Sequence, residues 1–306
     1  MNGIRQNSIR LFRFNGIDLS LHWSWFLVAA YEIGGRQKAY SSVTWNVLEY
    51  LALFLIVMFH EFGHALACRQ VGGVANQIVL WPLGGVAYVN PPQRPGATLW
   101  SIAAGPLVNV VFVPIFMVLG HVFRSLGFAQ SMPNAFLLVR EVALINLGLL
   151  IFNMLPILPL DGGQILRSLL WFVMGRARSL MVAVMIGFLG VTGLILLALR
   201  IQSVWFGVLA VFILMNCWKG LQQARALLRL AKVPRHSGFF CPSCKASPPL
   251  GAYWRCSKCS KPFDTFQTQA VCPSCSTRFA TTGCLDCGRT YPIGEWTVSP
   301  STPPAM

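Results

Sequence analysis

Long apolar runs constrain this chain more than any other feature of its sequence. A helix needs about 20 residues to cross the roughly 30 Å hydrocarbon core of a bilayer. Hydrophobic residues make up 55% of the chain, charged residues only 11%, and the mean hydropathy is +0.59, which excludes an ordinary soluble globular domain. The sequence therefore predicts an all-α polytopic membrane protein of about six transmembrane helices, the first the weakest, near 19–33, 45–69, 97–122, 134–157, 179–199 and 203–219.

The net charge of +15 lies mainly in the hydrophobic part of the chain. Residues 236–306 hold six basic and three acidic residues and so supply only +3 of it. In a membrane protein, such an excess of Lys and Arg marks cytosolic loops rather than nucleic-acid contacts. With the N-terminus inside, six spans return the C-terminus to the cytosol. We therefore expect an integral protein of a prokaryotic cell (inner) membrane with both termini cytosolic.

Two short β-rich runs lie between the second and third apolar runs. The runs Ile78–Trp81 and Val86–Val89 are separated by Pro82, Gly84 and Gly85, which predicts a membrane-associated β-hairpin. An edge strand of this hairpin, such as 78–81 or 86–89, could hold an extended substrate by β-addition. A plain structural hairpin is the alternative, and the sequence leaves both open.

The chain changes character after residue 220. Residues 1–220 predict the membrane domain, and residues 221–235 a basic amphipathic linker helix that lies on the membrane surface. Residues 236–297 contain eight of the ten cysteines. The stretch 298–306 is rich in Ser, Thr and Pro, which predicts a disordered tail.

The second apolar run contains the sequence HEFGH at residues 60–64. A helix brings residues i and i+4 to one face, so His60 and His64 can hold one zinc ion while Glu61 activates its water. Arg69 follows His60 by about 13 Å of helix rise, so the site would lie below the cytosolic surface. Ionisable residues at that depth generally mark function. The alternative is a pair of histidines hydrogen-bonded between helices, with Glu61 neutral.

A catalytic zinc ion needs a third protein ligand and one open position. His22, His121 and His236 lie near predicted ends of spans or outside them. Asp161 is a better candidate because it follows a Pro-rich break after the fourth run, and broken backbone at membrane depth is tolerated only where it lines a cavity. Asp161 would also suit the N-cap of a helix over 162–174, alone or together with metal binding.

At these residues the chain resembles the site-2 protease family of intramembrane zinc metalloproteases, peptidase family M50. The resemblance covers about residues 8–220. The segment GIDLSLHWSW contains His22, which matches a recurrent histidine of the family's first span and for which we expect an interfacial position. The other matching segments are HEFGHALACRQVGG, LWPLGGVAYV, IAAGPLVNV and NLGLLIFNMLPILPLDGGQILRSLL.

The resemblance implies roles for five residues. His60, His64 and Asp161 would hold one catalytic zinc ion. Glu61 would be the general base. The amide of Asn153 could help to hold the substrate or the oxyanion, and an amide that bonds helix ends is the alternative.

The resemblance also implies an enzyme of regulated intramembrane proteolysis. Such an endopeptidase would cleave transmembrane or membrane-proximal segments of regulatory membrane proteins within the lipid bilayer. A lipid-modifying di-iron enzyme would need about eight clustered His or carboxylate ligands, whereas this chain has five scattered histidines. A catalytically silent membrane scaffold that recruits partners through its cysteine-rich end is the remaining alternative, and the intact motifs disfavour it.

Eight cysteines form four CxxC pairs in the last quarter of the chain. Four thiolates close a tetrahedral zinc site, so the pairs predict two structural zinc ions in a double zinc ribbon, within a reducing compartment. We expect the pairs to combine sequentially, although the sequence does not exclude another order. The predicted ligands are Cys241, Cys244, Cys256, Cys259, Cys272, Cys275, Cys284 and Cys287.

The role of the zinc ribbons is open at the level of sequence. Thioredoxin-like CxxC sites occur singly in a βαβ setting, which disfavours a redox role. A charge of +3 over residues 236–306 disfavours nucleic-acid binding. Within residues 1–306 we expect no PDZ or CBS domain of the kind that relatives often carry. We expect the ribbons to recruit a cytosolic protein partner or to gate substrate entry.

Overall fold

A computed structural model describes residues 8–35, 40–81 and 86–296. The chain divides into two compact units, Met1–Gln222 and Gln223–Met306. The segment predicted to be disordered, 298–306, lies outside the described residues, as does the predicted hairpin turn at 82–85.

Helices make up most of the first unit. Prolines mark the start of two of them: α3 and α5 each begin at a proline. Proline is favourable there because the first N–H groups of a helix have no partner within the helix. Helix α6 bends at Gly175, whose backbone is not helical (φ 79°, ψ 170°). The helices are α1 (Trp25–Gly35), α2 (Val43–Gln70), α3 (Pro95–Ser125), α4 (Phe128–Ser131), α5 (Pro133–Asn153), α6 (Asp161–Ile201) and α7 (Val204–Ala231).

Among the described residues, five helices are long and apolar enough to cross a membrane: α2, α3, α5, α6 and α7. The number of six spans is therefore not confirmed. The predicted span near 19–33 does not form one helix, because Ile17–His22 is a β-strand and α1 has only 11 residues, about 16 Å of helix. The predicted basic helix at 221–235 forms the last part of α7, as far as Ala231.

A four-stranded sheet packs beside α2. The sheet order is β1-β2-β3-β4, and the pairs are antiparallel, parallel and antiparallel in turn. Because β3 has a neighbour on each side, the expectation that residues 78–81 form an edge strand is wrong, whereas β4 is an edge of the described sheet. The strands are β1 (Ser8–Phe14), β2 (Ile17–His22), β3 (Val74–Leu80) and β4 (Val86–Asn90).

The sheet and α2 share one apolar core. Apolar residues of β2 and β3, including Ile17, Leu19 and Ile78, are fully buried and share a core with Phe62 of α2. The guanidinium of Arg69 donates hydrogen bonds to carbonyl oxygens of the β1–β2 turn and of β3. This packing fixes the sheet against the end of α2 that carries the HEFGH sequence.

The second unit consists of short hairpins around aromatic residues. Trp296 and Phe266 are buried and pack at a ring-centroid distance of 4.8 Å. Such short strands bury too little apolar surface to be stable alone, which is typical of domains that fold around metal ions. The elements are β5 (Trp254–Arg255), β6 (Pro262–Phe263), β7 (Thr282–Gly283), β8 (Thr290–Tyr291) and a 3-10 helix, Ile293–Trp296.

Candidate functional site

Helix α2 places the HEFGH residues together in the interior of the first unit. His60, Glu61 and His64 are each only 6% exposed. Their candidate ligand atoms all lie within 4.8 Å of one another, as in a metal-binding group. The one-turn spacing predicted from the sequence therefore puts both imidazoles on one face of α2.

Asp161 joins this group from the first residue of α6. Its Oδ2 atom lies 3.0 Å from the Nε2 atom of His60 and 3.4 Å from that of His64. The two Nε2 atoms are 3.1 Å apart. Ligands at zinc–ligand distances of about 2.0–2.1 Å lie roughly 3.3 Å apart in a tetrahedral site. The two histidines and the aspartate thus form a triangle of the size that a zinc ion requires.

Asp161 does not cap α6 in the way that the sequence allowed. The residue preceding the helix is Leu160, and no side-chain hydrogen bond caps this end. Gly162 and Gly163 let α6 approach the preceding Pro-rich segment, since a Cβ atom on Gly162 would lie 2.3 Å from the carbonyl oxygen of Met154. The close turn directs the Asp161 carboxylate towards the two histidines.

Both imidazoles are held through their second nitrogen atom. The Nδ1 atom of His60 lies 2.6 Å from the Oδ1 atom of Asn109, and that of His64 lies 2.9 Å from the backbone oxygen of Ser101. Because both partners are oxygen acceptors, each Nδ1 atom carries the proton, and each Nε2 atom keeps its lone pair for a metal ion.

The sequence did not predict the contact between Asn109 and His60, or the hydrogen bonds between Asn109 and Asn146. Asn109 of α3 and Asn146 of α5 are fully buried and hydrogen-bonded to each other. Both are polar residues in long apolar runs, and such residues generally mark function or interhelical bonding. That signal was available in the sequence, although it did not identify His60 as the partner.

A glycine of α3 leaves the space in which the ligands meet. A Cβ atom on Gly105 would lie 2.3 Å from the Nε2 atom of His64 and 2.8 Å from that of His60. Gly63 of α2 similarly lets α3 approach, because its Cβ atom would lie 2.6 Å from the backbone oxygen of Ala104. The two helices therefore pack closely enough for α3 to enclose the site.

Two other predicted residues lie apart from this cluster. Asn153 is half-buried at the last position of α5, and no side-chain hydrogen bond joins it to the three ligand candidates among the described residues. His22 is 8% exposed at the end of β2, and its Nδ1 atom accepts a hydrogen bond from the backbone N–H of Ser24.

The cysteines of the second unit form two groups of four. The outer group contains Cys241, Cys244, Cys284 and Cys287, and the inner group contains Cys256, Cys259, Cys272 and Cys275. The Sγ atoms that pair across the outer group are 3.6 and 3.7 Å apart, and those across the inner group are 3.5 and 3.6 Å apart. Four sulfurs at about 2.3 Å from one zinc ion would be about 3.8 Å apart, so both groups fit a structural zinc ion.

The pairing is nested, and the expectation of sequential pairing is wrong. The carboxylate of Asp264 accepts hydrogen bonds from the backbone N–H groups of Phe266 and Gln267, which fixes a turn between the second and third CxxC pairs. The backbone N–H of Phe240 donates to the carbonyl oxygen of Trp296. This bond brings the two ends of the ribbon region together, so the first CxxC pair meets the fourth.

Comparison with known proteins is consistent with this geometry. The family model of Peptidase family M50 matches residues 49–139 and 128–197. The chain is 34% identical over 180 residues to "Zinc metalloprotease MJ0392" of Methanocaldococcus jannaschii, covering 59% of this chain and 50% of that protein. It is 27% identical over 241 residues to "Putative zinc metalloprotease sll0528" of Synechocystis, covering 72% and 61%. The matches thus span about half to three fifths of these relatives.

A solved structure is also similar. The site-2 protease from Methanocaldococcus jannaschii superposes with a TM-score of 0.52 and 28% sequence identity, covering 70% of this chain and 95% of that chain. "Stage IV sporulation protein FB" of Bacillus subtilis is 28% identical over 153 residues, covering 46% of this chain and 43% of that protein. The residues matched by the family model include His60, Glu61, His64 and Asp161.

Proposed function

Because the chain belongs to the site-2 protease family of peptidase family M50, we propose that it is an intramembrane zinc endopeptidase that cleaves transmembrane or membrane-proximal segments of regulatory membrane proteins. One observation carries the proposal. His60, His64 and Asp161 meet at 3.0–3.4 Å beside the buried Glu61, and their helices are apolar enough to cross a membrane.

Zinc is the metal that the donor set favours. Two imidazoles and one carboxylate are a common ligand set of catalytic zinc, and three protein ligands leave a fourth position for water or substrate. When bound, zinc would lower the pKa of a coordinated water towards 7 and polarise the scissile carbonyl. His60, His64 and Asp161 would hold the ion, and the absent side chain at Gly105 leaves it room.

Glu61 would handle the protons of the reaction. Its carboxylate would take a proton from the attacking water and later give it to the leaving amine, as a general base and then a general acid. Its burial beside His60 excludes bulk water, which strengthens such electrostatic interactions. Asn153 would contribute its amide to the substrate or the oxyanion only if substrate binding brings it to the cluster.

The substrate would be bound in an extended conformation. Carbonyl groups in a helix are engaged in i to i−4 hydrogen bonds, so a transmembrane substrate has to unwind locally before it can be cleaved. Strand β4 is an edge of the described sheet and could pair with the unwound segment by β-addition. The buried packing of this sheet on α2 supports a role for β4 close to the site.

The second unit would be a cytosolic double zinc ribbon with two structural zinc ions. The two groups of four cysteines support this assignment, and a reducing cytosol would keep them as thiolates. Residues 221–235 would link the ribbon to the membrane domain, and the ribbon would recruit a protein partner or gate substrate entry. A cysteine introduced into the tail should react with an impermeant reagent only after the membrane is opened. Reaction from outside intact cells would overturn this orientation.

Substitution of Glu61 separates the protease from the alternative of a silent scaffold. The test compares the membrane proteome of cells that carry the wild-type chain with that of cells that carry Glu61→Gln at the same level. A protease predicts membrane-protein fragments that are present with the wild type and absent with the variant. A scaffold predicts identical fragments in both, because the fold and the ribbons are unchanged.

A further inference from the structure

The two histidines of the site are held in different ways. His64 donates its Nδ1 proton to a backbone carbonyl of α3, at Ser101, whose position the helix fixes. His60 donates to a side-chain amide, Asn109, at 2.6 Å. An amide can rotate by 180° and offer its NH2 group instead of its oxygen. Something has to fix the orientation of Asn109 if His60 is to keep its acceptor.

Asn146 fixes that orientation through two hydrogen bonds. The Nδ2 atom of Asn109 donates to the Oδ1 atom of Asn146 at 2.8 Å. The Nδ2 atom of Asn146 donates to the backbone oxygen of Asn109 at 3.0 Å. Both asparagines are fully buried, so bulk water does not compete for these hydrogen bonds. A rotated Asn109 amide would set its oxygen against the Oδ1 oxygen of Asn146 and would lose the acceptor for His60.

We propose that Asn109 and Asn146 are positioning residues that keep the proton of His60 on Nδ1 and thereby keep its Nε2 atom available for the metal ion. The proposal rests on the proposed function, since it assumes that His60 is a ligand. It adds a side-chain relay from α5 through α3 to the ligand on α2.

A competing arrangement within the site explains why a relay is needed. The Oδ2 atom of Asp161 lies 3.0 Å from the Nε2 atom of His60. If the proton of His60 moved to Nε2, this nitrogen would donate a hydrogen bond to Asp161. Two of the three proposed ligands would then be hydrogen-bonded to each other and would not both be available to the metal ion. Asn109 opposes this closed arrangement because its oxygen accepts only from a protonated Nδ1 atom.

The test measures zinc retention by the full chain during titration with a chelator. Removing a partner that orients a metal ligand typically weakens metal binding about 10- to 100-fold. We therefore expect Asn109→Leu to lose one zinc ion per chain at a chelator concentration about 10- to 100-fold below that needed for the wild type. Asn109→Asp should restore retention to within about threefold, because a carboxylate also accepts from Nδ1 in carboxylate–histidine–zinc arrangements.

Asn146 should act only through Asn109. Asn146→Leu should weaken retention by itself, and it should add nothing in the Asn109→Leu background, since the relay is already broken there. Asn216→Leu is the matched control. Asn216 is an asparagine of another apolar helix, α7, and the hydrogen bond that it makes among the described residues stays within that helix, to the carbonyl oxygen of Phe212. Its substitution should leave retention unchanged.

His60→Ala distinguishes failure of this proposal from failure of the proposed function. If His60→Ala loses no zinc, His60 is not a ligand and the proposed function itself is wrong. If His60→Ala loses one ion while Asn109→Leu retains it as the wild type does, the positioning role is overturned. Additive effects of Asn109→Leu and Asn146→Leu, or failure of Asn109→Asp to restore retention, would show that the asparagines only support packing. The zinc ions that remain on the cysteines report that the second unit is folded. Thermal unfolding of the helical first unit, followed by circular dichroism, reports that each variant keeps its fold.

Discussion

His60 and Asp161 are 101 positions apart in the chain, yet the Nε2 atom of one lies 3.0 Å from the Oδ2 atom of the other. Helix α3 packs against both α2 and α6 and so brings the two residues to one place. Placing an imidazole and a carboxylate inside an apolar helical unit costs free energy, and ionisable groups in such positions generally mark a functional site. In the proposed protease both groups would hold one zinc ion.

Replacing Asp161 should remove that ion. We expect Asp161→Ala to lose as much zinc as His60→Ala does, because the two remaining histidines cannot complete a catalytic site. Elemental analysis of the purified full chain gives the number of zinc ions per chain, and the cysteine sites should stay loaded in both variants. Zinc retention equal to that of the wild type would show that Asp161 is not a ligand.

Gly105 tests whether the space beside the histidines is needed. In Gly105→Ala the new methyl group would lie 2.3 Å from the Nε2 atom of His64, so the imidazoles have to move. Displacement of a catalytic group by about 1 Å can cost about 100-fold in rate, and we expect proteolysis to fall by at least that factor. The assay is cleavage of a membrane peptide by purified protein in detergent.

Gly120→Ala provides the matched control in the same helix. A Cβ atom there meets nothing within 4 Å, and alanine favours a helix over glycine. This variant should cleave the peptide at the wild-type rate. Equal activity of the Gly105 and Gly120 variants would contradict the proposed use of this space.

The nested pairing of the cysteines predicts how many zinc ions each cysteine variant loses. Cys241→Ser and Cys287→Ser should each lose the same single zinc ion, and the double variant should lose no more than either. Cys241→Ser combined with Cys256→Ser should lose two ions, because these cysteines belong to different groups. Zinc analysis of the full chain distinguishes the cases. Loss of only one ion by the variant that combines Cys241→Ser with Cys256→Ser would show that the CxxC pairs combine sequentially.

Asp264 should stabilise the turn between the inner CxxC pairs in a pH-dependent way. Burial by itself would raise the pKa of this carboxyl, but the hydrogen bonds that it accepts from the backbone N–H of Gly251 and from His236 outweigh burial and lower its pKa. The stabilisation is therefore complete above the ordinary pKa of Asp, about 3.9, and is lost as the pH falls through the lowered value.

At neutral pH, Asp264→Ala should destabilise the second unit by roughly 3 kcal/mol, because it removes the charged acceptor of three backbone N–H groups, of which that of Phe266 is buried. The measurement is the temperature at which the eight ribbon cysteines become reactive to a thiol reagent. Glu295→Ala is the control, since Glu295 is an exposed acid of the same unit. Equal temperatures for the two variants would rule out this role of Asp264.

The parts of the site that follow from local chemistry could be predicted from the sequence. The HEFGH spacing puts His60 and His64 on one face of any helix, and a helix of that composition is stable only in an apolar setting. Asp161 stood out because a Pro-rich break followed by two glycines interrupts an otherwise helical region. In each case the position of the residue follows from the periodicity of the helix or from its interruption, and both can be recognised in the order of the residues.

The remaining features depend on contacts between distant segments. The predicted span near 19–33 takes in the last four residues of β2 because they adjoin the apolar α1, and only pairing with β1 and β3 makes them part of a strand. The four CxxC pairs are chemically equivalent, so their spacing does not state which pairs combine. Asn109 carries no local sign that its partner is His60. Such choices are made by tertiary packing, which a single sequence does not display.

The most direct test of the account is peptide cleavage by purified Glu61→Gln protein. Glutamine keeps the size and polarity of Glu61 but cannot take a proton, so the zinc content should equal that of the wild type. The same preparation should show no cleavage of a membrane peptide that the wild-type protein cleaves. Cleavage by the variant at a rate near that of the wild type, with zinc bound, would contradict the assignment of Glu61 as the base of an intramembrane protease.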